Sequence, residues 1–290
     1  MIDSSLSDWR DAALRFEHQL NQIIVGQAQA IRYIILAVFA RGHVLLEGPV
    51  GVGKTTLLKA VAQGLGGDYQ RIEGAIDLLP ADLLYYTYLD QNGKPRVDAG
   101  PLLKQRERLT TFFFNEINRA RPQVHAVLLR AMAERSVQAF NQVYDLPHLL
   151  VFADRNQVER EETFELPAAA KDRFMFEIGI QVPTQTDVLT ELMFNTRYHD
   201  SDRLVASMPN AGLAYDRLND IAEAIQGHLY SSDSLRTYAL HLWQATHNPQ
   251  RFWHTVKRCG DGAIDSSRRK PAWYELFNPG GEDPSLVGRS

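Results

Sequence analysis

At 290 residues, 44% hydrophobic and 23% charged, the chain is long enough to bury a full core in about two domains, and its composition excludes disorder and fibrous structure. A formal net charge of -4 gives no general attraction to a phosphate backbone, so nucleic acid is not an expected partner. The single cysteine, Cys259, excludes an intramolecular disulfide and fits a reducing compartment.

The opening stretch, MIDSSLSDWRDAALRFEHQL, carries acids and a tryptophan where a signal peptide needs basic residues and then an apolar run. The most apolar segment, YIILAVFA at 33–40, is too short to cross a bilayer. A cytoplasmic protein with no membrane insertion is expected. Five short apolar runs then alternate with helical patterns: HVLLEG (43–48), YQRIEG (69–74), TTFFFNE (110–116), HLLVFAD (148–154) and FMFEIGI (174–180). Runs that are apolar on both faces suit central strands of a parallel sheet covered by helices, which predicts an α/β three-layer αβα domain over residues 1–182.

Inside that domain, YTYLDQNGKPRVD sets Asn92-Gly93 between two alternating runs and predicts a hairpin over 86–98; SVQAFNQVYDL (136–146) predicts a second. From Asp187 to Cys259 the apolar spacing is helical, which predicts a small all-α domain over 183–260. Residues 261–290 are rich in Gly, Ser, Pro and charge, so an irregular tail is expected, with AWYELF as its apolar anchor.

The sharpest motif is GPVGVGKTT, residues 48–56, which satisfies G-x-x-x-x-G-K-[ST] between an apolar run and a helical pattern. Gly48, Pro49, Val50, Gly51, Val52, Gly53, Lys54, Thr55 and Thr56 are therefore the expected cradle for the phosphates of a nucleoside triphosphate. Backbone N–H groups and the helix N-terminus bind phosphate, Lys54 adds a charge, and Thr55 offers a hydroxyl to Mg²⁺. The second chemical stretch is FFFNEINRARP (112–122), a strand that opens onto Asn115 and Glu116. In P-loop enzymes such a strand presents an aspartate to the magnesium shell, so Asn115 occupies a metal position with an amide. Glu116 is placed to polarise the attacking water.

The stretches HVLLEGPVGVGKTT, FFFNEINRARPQVHAVLLRAMAERSV, ELPAAAKDRF and the earlier IIVGQ together resemble the MoxR branch of the AAA+ ATPases, over about residues 20–260. The resemblance implies a P-loop parallel sheet with a helical lid, a homo-oligomeric and hexameric ring, and ATP with Mg²⁺ as cofactors. It also implies ATP-driven remodelling of a client enzyme, in maturation or metal insertion as for a methanol dehydrogenase, often beside a von Willebrand factor A domain protein. Carried over by position, Asn156 corresponds to the sensor that contacts the γ-phosphate or lytic water. Arg173 corresponds to the arginine finger toward a neighbouring subunit, with a plain surface arginine as the competing reading. Arg268 is the nearest counterpart of the second sensor, although Arg268 or Arg269 reads equally as a solvated tail residue, and the lid looks truncated.

Asn115 departs from the family's Walker B aspartate and opens an alternative in which the chain is a catalytically weak nucleotide-binding scaffold or regulatory ring subunit. Asp154, two residues before Asn156, shares a strand face with it and is a candidate for the missing carboxylate; pairing with Arg155 or another nearby base is the alternative. The nine histidines show no zinc-binding spacing, and no structural metal is expected. His125 reads as a helix-surface or interface residue.

Overall fold

In the computed structural model, residues 2–156, 164–209 and 213–247 are described. Arg268 and the AWYELF segment lie outside them. Helices α1 (Ile2–Ile23) and α2 (Ala28–Phe39) precede strand β1 (His43–Glu47) and helix α3 (Lys54–Leu65). Strands β2 (Asp68–Glu73), β3 (Tyr85–Leu89), β4 (Pro95–Ala99) and β5 (Leu109–Asn115) follow, then α4 (Pro122–Glu134). The chain continues through β6 (Ser136–Ala139), β7 (Gln142–Asp145), β8 (Leu150–Arg155), α5 (Ala168–Lys171) and β9 (Phe174–Gly179). Helices α6 (Thr186–Phe194), α7 (Ser201–Ala206), α8 (Leu218–His228) and α9 (Asp233–His247) follow among the described residues.

The five apolar runs form one sheet in the order β2-β5-β8-β1-β9, parallel throughout. Each central strand is buried along its length because its residues alternate between two cores. Phe113, Phe152, Val44 and Leu46 enter the core beneath α1, α2 and α3, where Phe16, Ile34 and Leu58 meet them. Phe112, Phe114, Leu45 and Val151 enter the opposite core with Val124 and Leu128 of α4. The three phenylalanines of β5 are fully buried, each stabilising the fold by roughly 1.5–3 kcal/mol. In this order the carboxyl ends of β5, β8 and β1 lie side by side, the edge of an open α/β sheet at which ligands bind.

Both expected hairpins are present. Strand β3 pairs antiparallel with β4 across residues 90–94, where Asp90 accepts from the N–H groups of Asn92 and Lys94 at 2.9 Å each. Strand β6 pairs with β7 across Phe140 and Asn141, both at positive φ (53° and 58°), as a two-residue turn matched to strand twist requires.

The chain falls into two compact units, Met1–His228 and Leu229–Ser290. The sequence boundary at 182 marks the exit from the last strand, whereas the first packing unit continues through α8. Leu204 and Val205 of α7 and Leu218 of α8 are buried in the α1–α2–α3 core, which draws those helices into that unit. Among the described residues, no helix is long and apolar enough to cross a membrane.

Candidate nucleotide-binding and active site

The loop after β1 turns into α3 at Gly53, whose φ of 85° lies in the left-handed region that glycine enters without strain. The N-cap residue, Gly53, has no side chain to cap α3, so the N–H groups of the helix's first turn suit an anionic ligand. Gly48 N–H donates to the carbonyl of Arg155 at 3.3 Å and ties the loop to β8. Lys54 is 6% exposed, and its ammonium donates to Gly48 O at 2.5 Å, Pro49 O at 3.3 Å and Asn156 Oδ1 at 2.7 Å. It also stands 3.5 Å from Asp154 Oδ2. A buried ammonium must be paired, and here the loop's own carbonyls and two side chains from β8 and its exit share it.

A cleft of about 310 Å³ opens over this loop, lined by residues 50–56 together with Asn115, Glu116, Asp154 and Asn156. The structure thus brings together the cradle, the polar pair after β5 and the residues after β8. Glu116 leaves β5 with φ 51° and ψ 50°, a conformation few non-glycine residues adopt. Three bonds hold that turn: Glu116 N–H donates to Asp154 Oδ1 at 2.6 Å, Arg119 N–H donates to Glu116 O at 2.9 Å, and Gly74 N–H donates to Asn115 O at 2.7 Å. Gly74 is required there because a Cβ would fall on the carbonyl oxygen of Glu116.

The Glu116 carboxylate is oriented from both sides. Oε1 accepts from Asn156 Nδ2 at 3.1 Å, and Oε2 pairs with Arg119 Nε at 3.0 Å. Asn156 therefore links the Lys54 ammonium to the Glu116 carboxylate through one amide. Burial pushes the Asp154 carboxyl above its ordinary range, against the opposing pull of the Glu116 N–H and the Lys54 charge. Asn115 Nδ2 donates to Glu73 Oε1 on the neighbouring strand, a contact that sequence spacing does not announce. It arises from the parallel register that sets Glu73 opposite Asn115.

Two sequence readings are corrected here. His125 is not on a helix surface: it is 1% exposed, and its Nε2–H donates to Ile117 O at 2.7 Å, bracing the turn after Glu116. It shares the buried face of α4 with Val124 and Leu128, and burial lowers its pKa, which keeps the ring neutral. Asp154 pairs with another nearby base, Lys54 at 3.5 Å, and not with Arg155, whose guanidinium reaches Glu47 at 3.2 Å and Glu177, because successive strand residues point to opposite faces. Arg173, just after α5, is exposed and is not among the residues lining the cleft of its own chain.

The profile of the ATPase family associated with various cellular activities (AAA) matches residues 43–176, the span from β1 into β9. The protein MoxR of Methylorubrum extorquens is 57% identical over 247 residues, covering 85% of this chain and 72% of the relative. The chaperone MoxR1 of Mycobacterium tuberculosis is 35% identical over 169 residues, 57% of this chain and 43% of the relative. A crystal structure from Cytophaga hutchinsonii, assigned as an ATPase, superposes with a TM-score of 0.63 at 28% identity over 86% of this chain and 74% of its own. With the phosphate-loop geometry in place and the sequence shared across most of both chains, this protein belongs to the MoxR family of AAA+ ATPases.

Proposed function

We propose that this chain binds ATP with magnesium over residues 48–56 and hydrolyses it, with Glu116 orienting the attacking water. The observation that carries the reading is the continuous contact from Lys54 through Asn156 to Glu116, which joins the phosphate-loop cation to a carboxylate across the cleft. Phosphoryl transfer needs positioning and charge stabilisation more than covalent chemistry, and these three groups supply both. The N-terminus of α3 and the Lys54 ammonium, held among the described residues by loop carbonyls and by side chains of β8 and its exit, fit phosphate oxygens. Thr55 and Asn115, both lining the cleft, fit the outer shell of a magnesium ion. Bound magnesium neutralises charge on the phosphate oxygens.

In this reading Asn156 senses the γ-phosphate, while Arg173, exposed on its own chain, serves a site on a neighbouring subunit of a hexameric ring; Arg268 is the proposed second sensor. The chaperone name carried by the Mycobacterium relative supports a chaperone-like remodeller, working in the cytoplasm on the maturation or metal insertion of a partner enzyme complex. A von Willebrand factor A domain protein is the proposed accessory partner. Asn115 favours a second reading, a ring subunit that holds nucleotide and turns it over weakly.

Steady-state ATPase assays of the full chain with Mg²⁺, beside Glu116→Gln, separate the two. Turnover that Glu116→Gln lowers by about 100-fold or more, with ATP still bound, is the expected result. ATP binding with no turnover in the wild-type chain, unchanged by Glu116→Gln, would establish the holding subunit.

A further inference from the structure

The cleft contains a carboxylate at a position where P-loop chemistry does not call for one. Residue 115, at the metal-facing end of β5, is an amide, and its Nδ2 is turned toward Glu73 on β2. One strand across, Asp154 follows the last registered pair of β5 with β8, Phe114 opposite Ala153. It shares the sheet face of Asn115, since Phe113 and Phe152, two residues before each, enter the same core beneath α3. Asp154 is 2% exposed, yet it lines the cleft.

A carboxylate that deeply buried has to be paired, and the partners identify its surroundings. Oδ1 accepts from the Glu116 N–H, and Oδ2 lies 3.5 Å from Lys54, whose shorter bonds go to Gly48 O and Asn156. Arg155 does not neutralise it, being paired with Glu47 and Glu177. Oδ2 is therefore the loosely held oxygen of a carboxylate whose other oxygen fixes the Glu116 turn. Among the described residues, no group of three His, Cys, Asp or Glu side chains converges to hold a metal alone. Magnesium at such a site is shared with phosphate oxygens, keeps several waters and needs one or two carboxylates from the protein.

Resting on the nucleotide reading above, we infer that Asp154 replaces residue 115 as the carboxylate facing the metal–water shell of bound ATP–magnesium, and that Asn115 and Glu73 form a structural pair closing the end of β5. Asp154 then has two duties at one position. One oxygen holds the backbone of the water-orienting glutamate, and the other accepts from the hydrated metal once Lys54 turns to phosphate.

The test measures metal affinity separately from nucleotide affinity on the full chain. Mant-ATP binding in EDTA reads the nucleotide alone, and loss of the free Mn²⁺ resonance in the presence of AMPPNP reads the metal. Asp154→Asn is expected to weaken Mn²⁺ binding by about tenfold, a change of the size a lost charge-assisted bond gives, and to leave mant-ATP affinity in EDTA within about threefold. The transposed pair, Asn115→Asp with Asp154→Asn, is expected to bring Mn²⁺ affinity back to within about threefold of wild type by returning the charge to the same face. Unchanged Mn²⁺ affinity in Asp154→Asn, or an equal loss of mant-ATP in EDTA, overturns the assignment. Should Asp154→Asn fail to fold, the transposed pair decides it: Mn²⁺ binding more than about tenfold weaker than wild type overturns it. A wild-type chain that binds no mant-ATP at all would instead sink the nucleotide reading, and this proposal with it.

Discussion

The side-chain amide of Asn115 donates to the carboxylate of Glu73 across the pair of strands β5 and β2. An aspartate at 115 sets two carboxylates face to face, with Arg71, 2.8 Å from the far oxygen of Glu73, as partial relief. The Asn115→Asp variant is therefore expected to lose stability, although restoring the residue usual at this position is the intuitive way to improve the site. Glu73 is 56% exposed at its side chain, so screening holds the loss to about 1 kcal/mol at pH 7. Chemical denaturation of Asn115→Asp, Glu73→Gln and the double variant gives the coupling directly. A single variant as stable as wild type would mean that the amide is not held by Glu73.

Asn156 accepts from Lys54 and donates to Glu116, so its loss disconnects the two groups to which the proposed reaction gives its positioning roles. Asn156→Ala is expected to lower ATP turnover by about 100-fold, the effect of removing one preorganised donor, with mant-ATP affinity changed only a few-fold. Asn156→Asp keeps the acceptor for Lys54 but sets a carboxylate against Glu116, and its turnover is expected to fall at least as far. Equal turnover in wild type and Asn156→Asp would show that the bond to Glu116 has no part in the chemistry.

Much of this arrangement can be read without coordinates, for physical reasons that also mark the limit. Strands buried on both faces must be apolar throughout, so HVLLE and TTFFF announce themselves, and a phosphate loop between strand and helix fixes Gly48 to Thr56. The shared face of Asp154 and Asn156 follows from strand parity alone. Glu73 escapes notice because its bond to Asn115 depends on a register between strands whose paired residues are 42 positions apart. His125 misleads because a histidine on a helix is read by its polarity, whereas a single acceptor, Ile117 O, lets the ring enter the core. The extent of the first packing unit is hidden for a similar reason: short helices such as α7 carry few apolar residues, yet Leu204 and Val205 suffice to dock it.

His43 opens β1 inside the core, where its Nδ1 accepts from Val151 N–H at 2.9 Å and its Nε2 lies 3.3 Å from Met132 O. That pattern fits the neutral ring with the proton on Nε2. Burial, reinforced by the charges of Arg135 and Arg41 and opposed by the Met132 carbonyl, lowers its pKa to about 4. The unfolded chain takes up this proton near pH 6.5 and the folded chain only near pH 4, so the contribution is present above pH 6.5 and is lost as pH falls between those values. The full term is about 3 kcal/mol. His43→Gln, which retains a donor and an acceptor, is expected to flatten the stability profile between pH 6.5 and 4 while leaving the rest unchanged. An identical slope in both proteins would assign acid sensitivity to other groups.

Arg173 follows α5 on the surface, outside the residues that line its own chain's cleft, so a catalytic role for it requires a second subunit. Arg173→Ala is then expected to bind ATP normally and to lose about 1000-fold or more in turnover, as removal of an arginine finger does. Mixing supplies the decisive observation, because Arg173→Ala chains retain Glu116 and Glu116→Gln chains retain Arg173. A ring assembled from both contains interfaces where an intact Glu116 faces an intact Arg173. At equal mixing, random assembly makes about one interface in four of this kind, and activity is expected to recover toward that fraction of wild type. Two inactive variants that remain inactive together, in rings shown to exchange subunits, would leave Arg173 as a surface arginine and move the search for the trans-acting cation to another face of the first unit.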